Sequence, residues 1–239
     1  MINIKNNIDK IKAQIQQACQ KSNRLTSLAK SPTHTLPVSL LAVSKTKPST
    51  LIEQAYITGQ HDFGENYLQE AIEKIAELAH LPQLNWHFIG PIQSNKTKQI
   101  ASNFSWVHSV DREKIALRLN QHIQDDNRHS TPLNVCLQVN ISNEDSKSGV
   151  AIEEVLSLAN TVNNCDKLIL RGLMAVPEKN ADKNDYEKMQ RLFVQLKKIY
   201  PSVDTLSLGM SNDLDQAVAH GSTMVRIGTA IFGARTNKN

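Results

Sequence analysis

At 239 residues, 40% of them hydrophobic, the chain has the length of one large domain, and an α/β barrel of about 250 residues fits it without a second. Charged residues make up 21% and are well mixed, and the net charge of +4 suits small anionic ligands, whereas no lysine/arginine stripe interleaves with aromatics as nucleic-acid binding would want. Cys19, Cys136 and Cys165 form no CxxC and no disulfide framework, charges at Lys5, Asp9, Lys10 and Lys12 interrupt any signal-peptide run, and no apolar stretch reaches the length of a membrane span, so a soluble protein of the reducing cytoplasm is expected.

Residues 2–20 place Ile4, Ile8, Ile11, Ile15 and Ala18 at alternating steps of four and three, which predicts an amphipathic helix packed across the outside of the domain. Ser22 to Pro37, with two prolines among scattered polar residues, reads as a loop. From Val38 onward strands and helices alternate. Leu40–Val43, inside LLAVSKTKP, is a short buried strand that delivers Lys45 to its C-terminal end; Pro48 then opens a helix over Ser49–Thr58. His61–Phe63 is a second strand, broken by Gly64, and Glu65-Asn66 starts a helix running to about Ala79.

Trp86–Ile89 is the third strand, closed by Gly90-Pro91, with a helix from about Ser94. Trp106–Ser109 is the fourth, and Asp111 is the expected N-cap of a helix over 112–124. Asn134–Ile141 follows, then the polar loop NEDSKSG carrying Lys147, a helix over 151–163 and the strand Leu168–Leu173. After Pro177 a charged loop leads to a long helix, Lys183–Ile199. Thr205–Leu208 ends in Gly209-Met210-Ser211, Asp213 caps a short helix ending at Gly221, and Thr223–Ile227 precedes a last turn opened by Gly228-Thr229.

Eight strands separated by helices predict a closed parallel (β/α)8 barrel. An open doubly wound sheet would want a glycine-rich turn after the first strand, and there is none. One domain is expected, with residues 1–37 as N-terminal helix and loop and 38–235 as barrel.

In such barrels the C-terminal strand ends carry the chemistry. Here they offer Lys45, Glu65-Asn66, Gly90-Pro91, His108-Ser109, Asn140, Met174, Ser211, and Arg226 with Gly228-Thr229. Small residues after the seventh and eighth strands let backbone N–H groups approach a phosphate, and Ser211 can add a hydroxyl. Taken singly, Gly228-Thr229 is also an ordinary turn, Arg226 a partner for a nearby carboxylate, and Lys45 a solvated strand end. A lysine opposite a phosphate cup has a further use, because its amine can form an imine with an aldehyde. His87 and His108 read as hydrogen-bonded core residues, no histidine spacing suggests a metal site, and no GxSxG or Cys/His nucleophile pattern occurs.

LLAVSKTKP, FGENYLQE, WHFIGPIQSNK, NISNEDSKSG, RGLMAVP, TLSLGMSND and STMVRIGTAIFGAR occur in order from about Leu40 to Arg235. Together they resemble the YggS/PROSC family of pyridoxal 5′-phosphate homeostasis proteins. The resemblance implies a barrel similar to the N-terminal domain of bacterial alanine racemases. It implies pyridoxal 5′-phosphate held as a Schiff base on Lys45, its phosphate at Ser211, Gly228 and Thr229, Arg226 facing the pyridine nitrogen, and Asn66 as a further polar contact. Racemases carry a tyrosine four residues after the lysine, where this chain has Ser49; they also carry a second, β-rich domain bearing a catalytic tyrosine, for which this chain, ending at Asn239, leaves no room. The expectation is therefore a non-catalytic carrier that buffers the cofactor and delivers it to apoenzymes; no apolar stripe beyond the first helix asks for a partner, so a monomer is expected. The alternative is a low-activity amino-acid racemase.

Overall fold

The computed structural model describes residues 2–22, 38–124, 131–141, 148–177 and 183–234. Eight short apolar runs become parallel strands: β1 (Ser39–Val43), β2 (Asp62–Glu65), β3 (Asn85–Phe88), β4 (Trp106–Val110), β5 (Leu133–Gln138), β6 (Leu168–Met174), β7 (Thr205–Ser207) and β8 (Met224–Ile227). They pair in chain order and close on themselves, Leu41 opposite Arg226 and Ala42 opposite Ile227. The predicted barrel is thus the observed one.

Alternate residues of each strand face opposite ways. The outward set, including Ala42, Phe63, Phe88, Val107, Val135, Leu173 and Val225, joins the apolar stripes of the helices in one continuous core. Those helices are α2 (Ser49–Ile57), α3 (Leu68–Glu77), α4 (Thr97–Asn103), α5 (Glu113–Gln124), α6 (Val155–Asn163, after a 3-10 turn at Ile152–Glu154), α7 (Lys183–Ile199), α8 (Leu214–Ala219) and α9 (Thr229–Phe232). The N-terminal stripe forms α1 (Ile4–Lys21); its buried isoleucines pack with α2, α8 and α9, and Asn7 Nδ2 donates to Ile231 O at 2.8 Å.

Three local expectations are corrected. Gly64 does not break β2: it faces the barrel interior, where a Cβ would sit 3.2–3.3 Å from the Leu41 and Ile89 side chains, so the strand runs on to Glu65 and α3 begins only at Leu68. Asp111 does not open α5, which starts at Glu113; its carboxylate accepts instead from Arg112 Nη1. Asp213 holds the N-cap position of α8 without capping it, its carboxylate being taken by Met210 N and the Tyr186 hydroxyl. Residues 23–37, the loop 142–147 with Lys147, and 178–182 lie outside the described residues.

β6 carries an extra residue against β5, the register stepping from Val135↔Leu170 to Cys136↔Gly172. The bulge brings the backbone at Gly172 (φ 148°) so near β7 that a Cβ would lie 1.9 Å from Thr205 O. Gly172→Ala is accordingly expected to cost about 3 kcal/mol, read as a lower urea midpoint with an unchanged slope.

Candidate functional site

The candidate site takes up the part of the barrel's C-terminal mouth formed by four neighbouring strands. β1 ends at Val43 and passes into a turn, Ser44–Lys45–Thr46, in which Thr46 takes φ 63°. A β-branched residue in the left-handed region is strained and persists only when its surroundings hold it. Here they do. Lys74 Nζ, on α3, donates to Ser44 O (2.8 Å), Glu65 Oε1 (2.9 Å) and Glu70 Oε1 (2.5 Å); Ser44 Oγ donates to Glu65 Oε1 (2.6 Å), and Thr46 N donates to Glu70 Oε1 (2.6 Å). Lys74 and Glu65 are both buried, and Glu65 Oε2 has no hydrogen-bond partner among the described residues. Burial holds the Glu65 carboxyl above the ordinary range, against the pull of Lys74 and Ser44.

The Lys45 side chain is half-buried, with Nζ 6.0 Å from the centre of the Tyr67 ring. Because β8 pairs with β1, the Gly228-Thr229 turn lies against the Lys45 turn, and a Cβ on Gly228 would come within 3.0 Å of Val43 O. Thr229 and Ala230 begin α9, so their N–H groups sit in a first helical turn that supplies no acceptor, and both residues are exposed. Arg226 N donates to Gly209 O (2.9 Å), which carries the β7–α8 loop alongside β8 and sets exposed Ser211 on the same rim. Met210 N and Tyr186 Oη each donate to Asp213 at 2.7 Å, pinning that loop.

Arg226 lies beneath this rim, 5% exposed. Its Nη1 donates to Ser207 O (2.6 Å) and Ser207 Oγ (2.8 Å), and its Nη2 to Ala175 O (2.7 Å). No carboxylate is among these partners, and burial lowers its pKa to about 10. Asn66 follows β2 on the inward register, its carbonyl packed against Gly90. Lys45, Asn66, Ser211, Arg226, Gly228 and Thr229 therefore sit on one arc, β7–β8–β1–β2.

Below the arc the barrel is polar. His108 Nδ1 lies 3.1 Å from Ser207 Oγ, His108 Nε2 lies 3.0 Å from His87 Nδ1, and His87 Nε2 lies 3.2 Å from Asp62 Oδ1. Sequence reasoning placed His87 and His108 as hydrogen-bonded core residues and missed the chain they join. It also missed the Glu65–Lys74 support, although Glu70 and Lys74 stand at the i,i+4 spacing of a helical ion pair. Among the described residues no group of three His, Cys, Asp or Glu side chains can hold a metal, and no helix is long and apolar enough to cross a membrane.

The family described as "Alanine racemase, N-terminal domain" matches residues 3–236. The pyridoxal phosphate homeostasis protein of Pseudomonas aeruginosa is 52% identical over 236 residues, covering 98% of this chain and 97% of that protein. The protein of the same name from Escherichia coli K12 is 51% identical over 209 residues, covering 83% and 86%. Among solved structures, PipY of Synechococcus elongatus with PLP bound superposes with a TM-score of 0.75 at 34% identity, over 89% of this chain and 99% of that one. An alanine racemase from Corynebacterium glutamicum, 14% identical with a TM-score of 0.65 over 92% of this chain and 61% of its own, shares the fold alone.

Proposed function

The chain belongs to the family of pyridoxal phosphate homeostasis proteins, and from that premise we propose that it holds pyridoxal 5′-phosphate on Lys45, buffers it and releases it to apoenzymes. The observation that carries this is the arc: an amine just after β1 beside a turn just after β8 whose Thr229 and Ala230 N–H groups have no acceptor among the described residues. Lys45 would hold the aldehyde through a carbon–nitrogen double bond formed with loss of water. Gly228, Thr229 and Ser211 would take the phosphate, and the glycine keeps that turn close to Val43 O, where a side chain would crowd it. Arg226 would face the pyridine nitrogen and Asn66 the ring edge.

When bound, the cofactor supplies an electron sink for bonds at an amino-acid α-carbon, most effectively with its ring nitrogen protonated. A guanidinium there cannot accept a proton and disfavours a second positive charge beside it. Arg226 would therefore leave the ring nitrogen neutral. That supports storage over turnover, as does the name its relatives carry. The working unit is one cytoplasmic barrel over residues 38–235, preceded by residues 1–37 with α1. It acts as a monomer, since the apolar stripe of α1 is spent on α2, α8 and α9. Its partners are the cofactor and the apoenzymes, with no role for nucleic acid or a membrane.

The test compares ligands with and without the anion. The two backbone N–H bonds from Gly228 and Thr229 alone would contribute roughly 3 kcal/mol, so pyridoxal is expected to bind at least about 100-fold more weakly than its phosphate ester by equilibrium dialysis. Equal affinities would remove the phosphate from the β8 turn. Release is read by incubating the loaded protein with an apoenzyme and following the acceptor's activity. Sustained racemisation of alanine by the loaded protein would favour an enzyme instead.

A further inference from the structure

Ser207 Oγ is fully buried and accepts from Arg226 Nη1 at 2.8 Å. Its own hydrogen must go to an acceptor, and His108 Nδ1 stands 3.1 Å away. That assignment fixes the rest of the chain. With Nδ1 accepting, neutral His108 carries its proton on Nε2 and donates to His87 Nδ1; His87 in turn carries its proton on Nε2 and donates to Asp62. Every link then runs the same way, from a guanidinium under the mouth to a carboxylate at the opposite end of the barrel, where the Asp62 side chain is 38% exposed.

The reverse register is also geometrically available. Asn85 Nδ2, which donates to Asp62 Oδ1 at 2.7 Å, lies 3.1 Å from His87 Nε2 and can donate to that nitrogen once it is bare. His87 would then donate to His108 and His108 to Ser207, leaving the serine hydrogen buried without an acceptor. The forward register wins while His87 is neutral. A proton taken up by His87 reverses the inner links alone: Nε2 still donates to Asp62, while Nδ1 now donates to His108 and His108 in turn to Ser207.

We propose that Asp62, His87, His108 and Ser207 form a directional hydrogen-bond relay that positions Arg226 and carries the protonation state of His87, at the far end of the barrel, to the pyridine nitrogen of the bound cofactor. The placing of that nitrogen against Arg226 rests on the function proposed above. These four are positioning residues. Burial keeps both histidines below their ordinary range; Asp62 opposes this at His87, whereas His87 and Arg226 add to it at His108. The charged and titratable groups facing the relay are His61 beside Asp62, Arg171 over the Trp106 ring on which His87 stacks, and Cys136 and Asp213 near Arg226.

The test has two arms. In the cofactor-free protein with 15N-labelled histidine, long-range 15N–1H correlation at neutral pH is expected to show His87 and His108 both neutral and both protonated on Nε2. Finding His108 protonated on Nδ1, or either ring charged, overturns the relay whatever the cofactor does. In protein loaded with pyridoxal phosphate 15N-labelled in the ring, the ring-nitrogen shift is followed against pH. Asp62→Asn removes the charge that favours protonated His87, so the acid midpoints of His87 and of the ring nitrogen should both fall by about one pH unit. Ser207→Ala keeps the carbonyl to which Arg226 donates but cuts the chain. In that background Asp62→Asn should still move His87 and no longer move the ring nitrogen. A ring nitrogen indifferent to Asp62→Asn, or equally responsive in both backgrounds, refutes the transmission. Failure of the cofactor to load would count against the function proposed above and leave the first arm decisive for the relay.

Discussion

Lys45→Ala is expected to abolish covalent retention of the cofactor: borohydride treatment of the loaded wild type should fix one equivalent to the peptide containing Lys45, and the variant should show none. The turn at Gly228 and Thr229, proposed above to take the phosphate, is untouched, so reversible binding should persist in the variant and be lost on gel filtration. Loss of the Tyr67 contact should itself change folding little. The lysine is half-buried, and its contact with the exposed Tyr67 ring is of a kind that contributes about 0.5–1 kcal/mol. A variant that still yields a stoichiometric adduct, mapped by mass spectrometry to another lysine, would move the attachment site elsewhere.

The largest effect on stability is expected from Lys74→Met. It leaves the Glu65 carboxylate buried with its countercharge gone, a change that typically costs about 3–5 kcal/mol. The pH dependence has a definite sign. The folded-state pKa of Glu65 already lies above its ordinary value, so its contribution is favourable at acid pH and is lost as pH rises through that raised value. Without Lys74 the carboxyl rises further, so the destabilisation should be greatest near neutrality and shrink toward pH about 4. Urea titrations at both values check this; a penalty independent of pH would mean that Glu65 is not the group exposed to the loss. The double variant Glu65→Gln with Lys74→Met should recover much of the stability, since no buried charge is then stranded. It should not restore cofactor affinity, because the Lys74 bond to Ser44 O on the Lys45 turn is still absent.

The barrel was legible because its outward layer is written in apolar alternation, and α1 because its isoleucines keep helical spacing. Lys45, Arg226 and Gly228 stood out because strand ends are marked by where the apolar run stops. What remained hidden was pairing at a distance. Nothing near Ser207 announces His108, 99 positions away, as its partner; only closure of the barrel and the parity of each strand bring them together. Gly64 misled for a related reason. A glycine in one strand reads as a break until the Leu41 and Ile89 side chains that fill its place are known to lie beside it.

The pairing of β8 with β1 also has a consequence during synthesis. Lys45 leaves the ribosome long before Gly228 does; at about 5–20 residues per second the interval is on the order of 10–40 s. Throughout it the amine exists without the β8 turn proposed above to take the phosphate, and an aldehyde meeting the nascent chain finds only a solvated lysine. The cofactor therefore cannot meet the complete β1–β8 arrangement before the last strand is made. It can only reward the finished one, adding stability by mass action once the last strand is seated. The empty barrel must stand unaided, as the release proposed above would require.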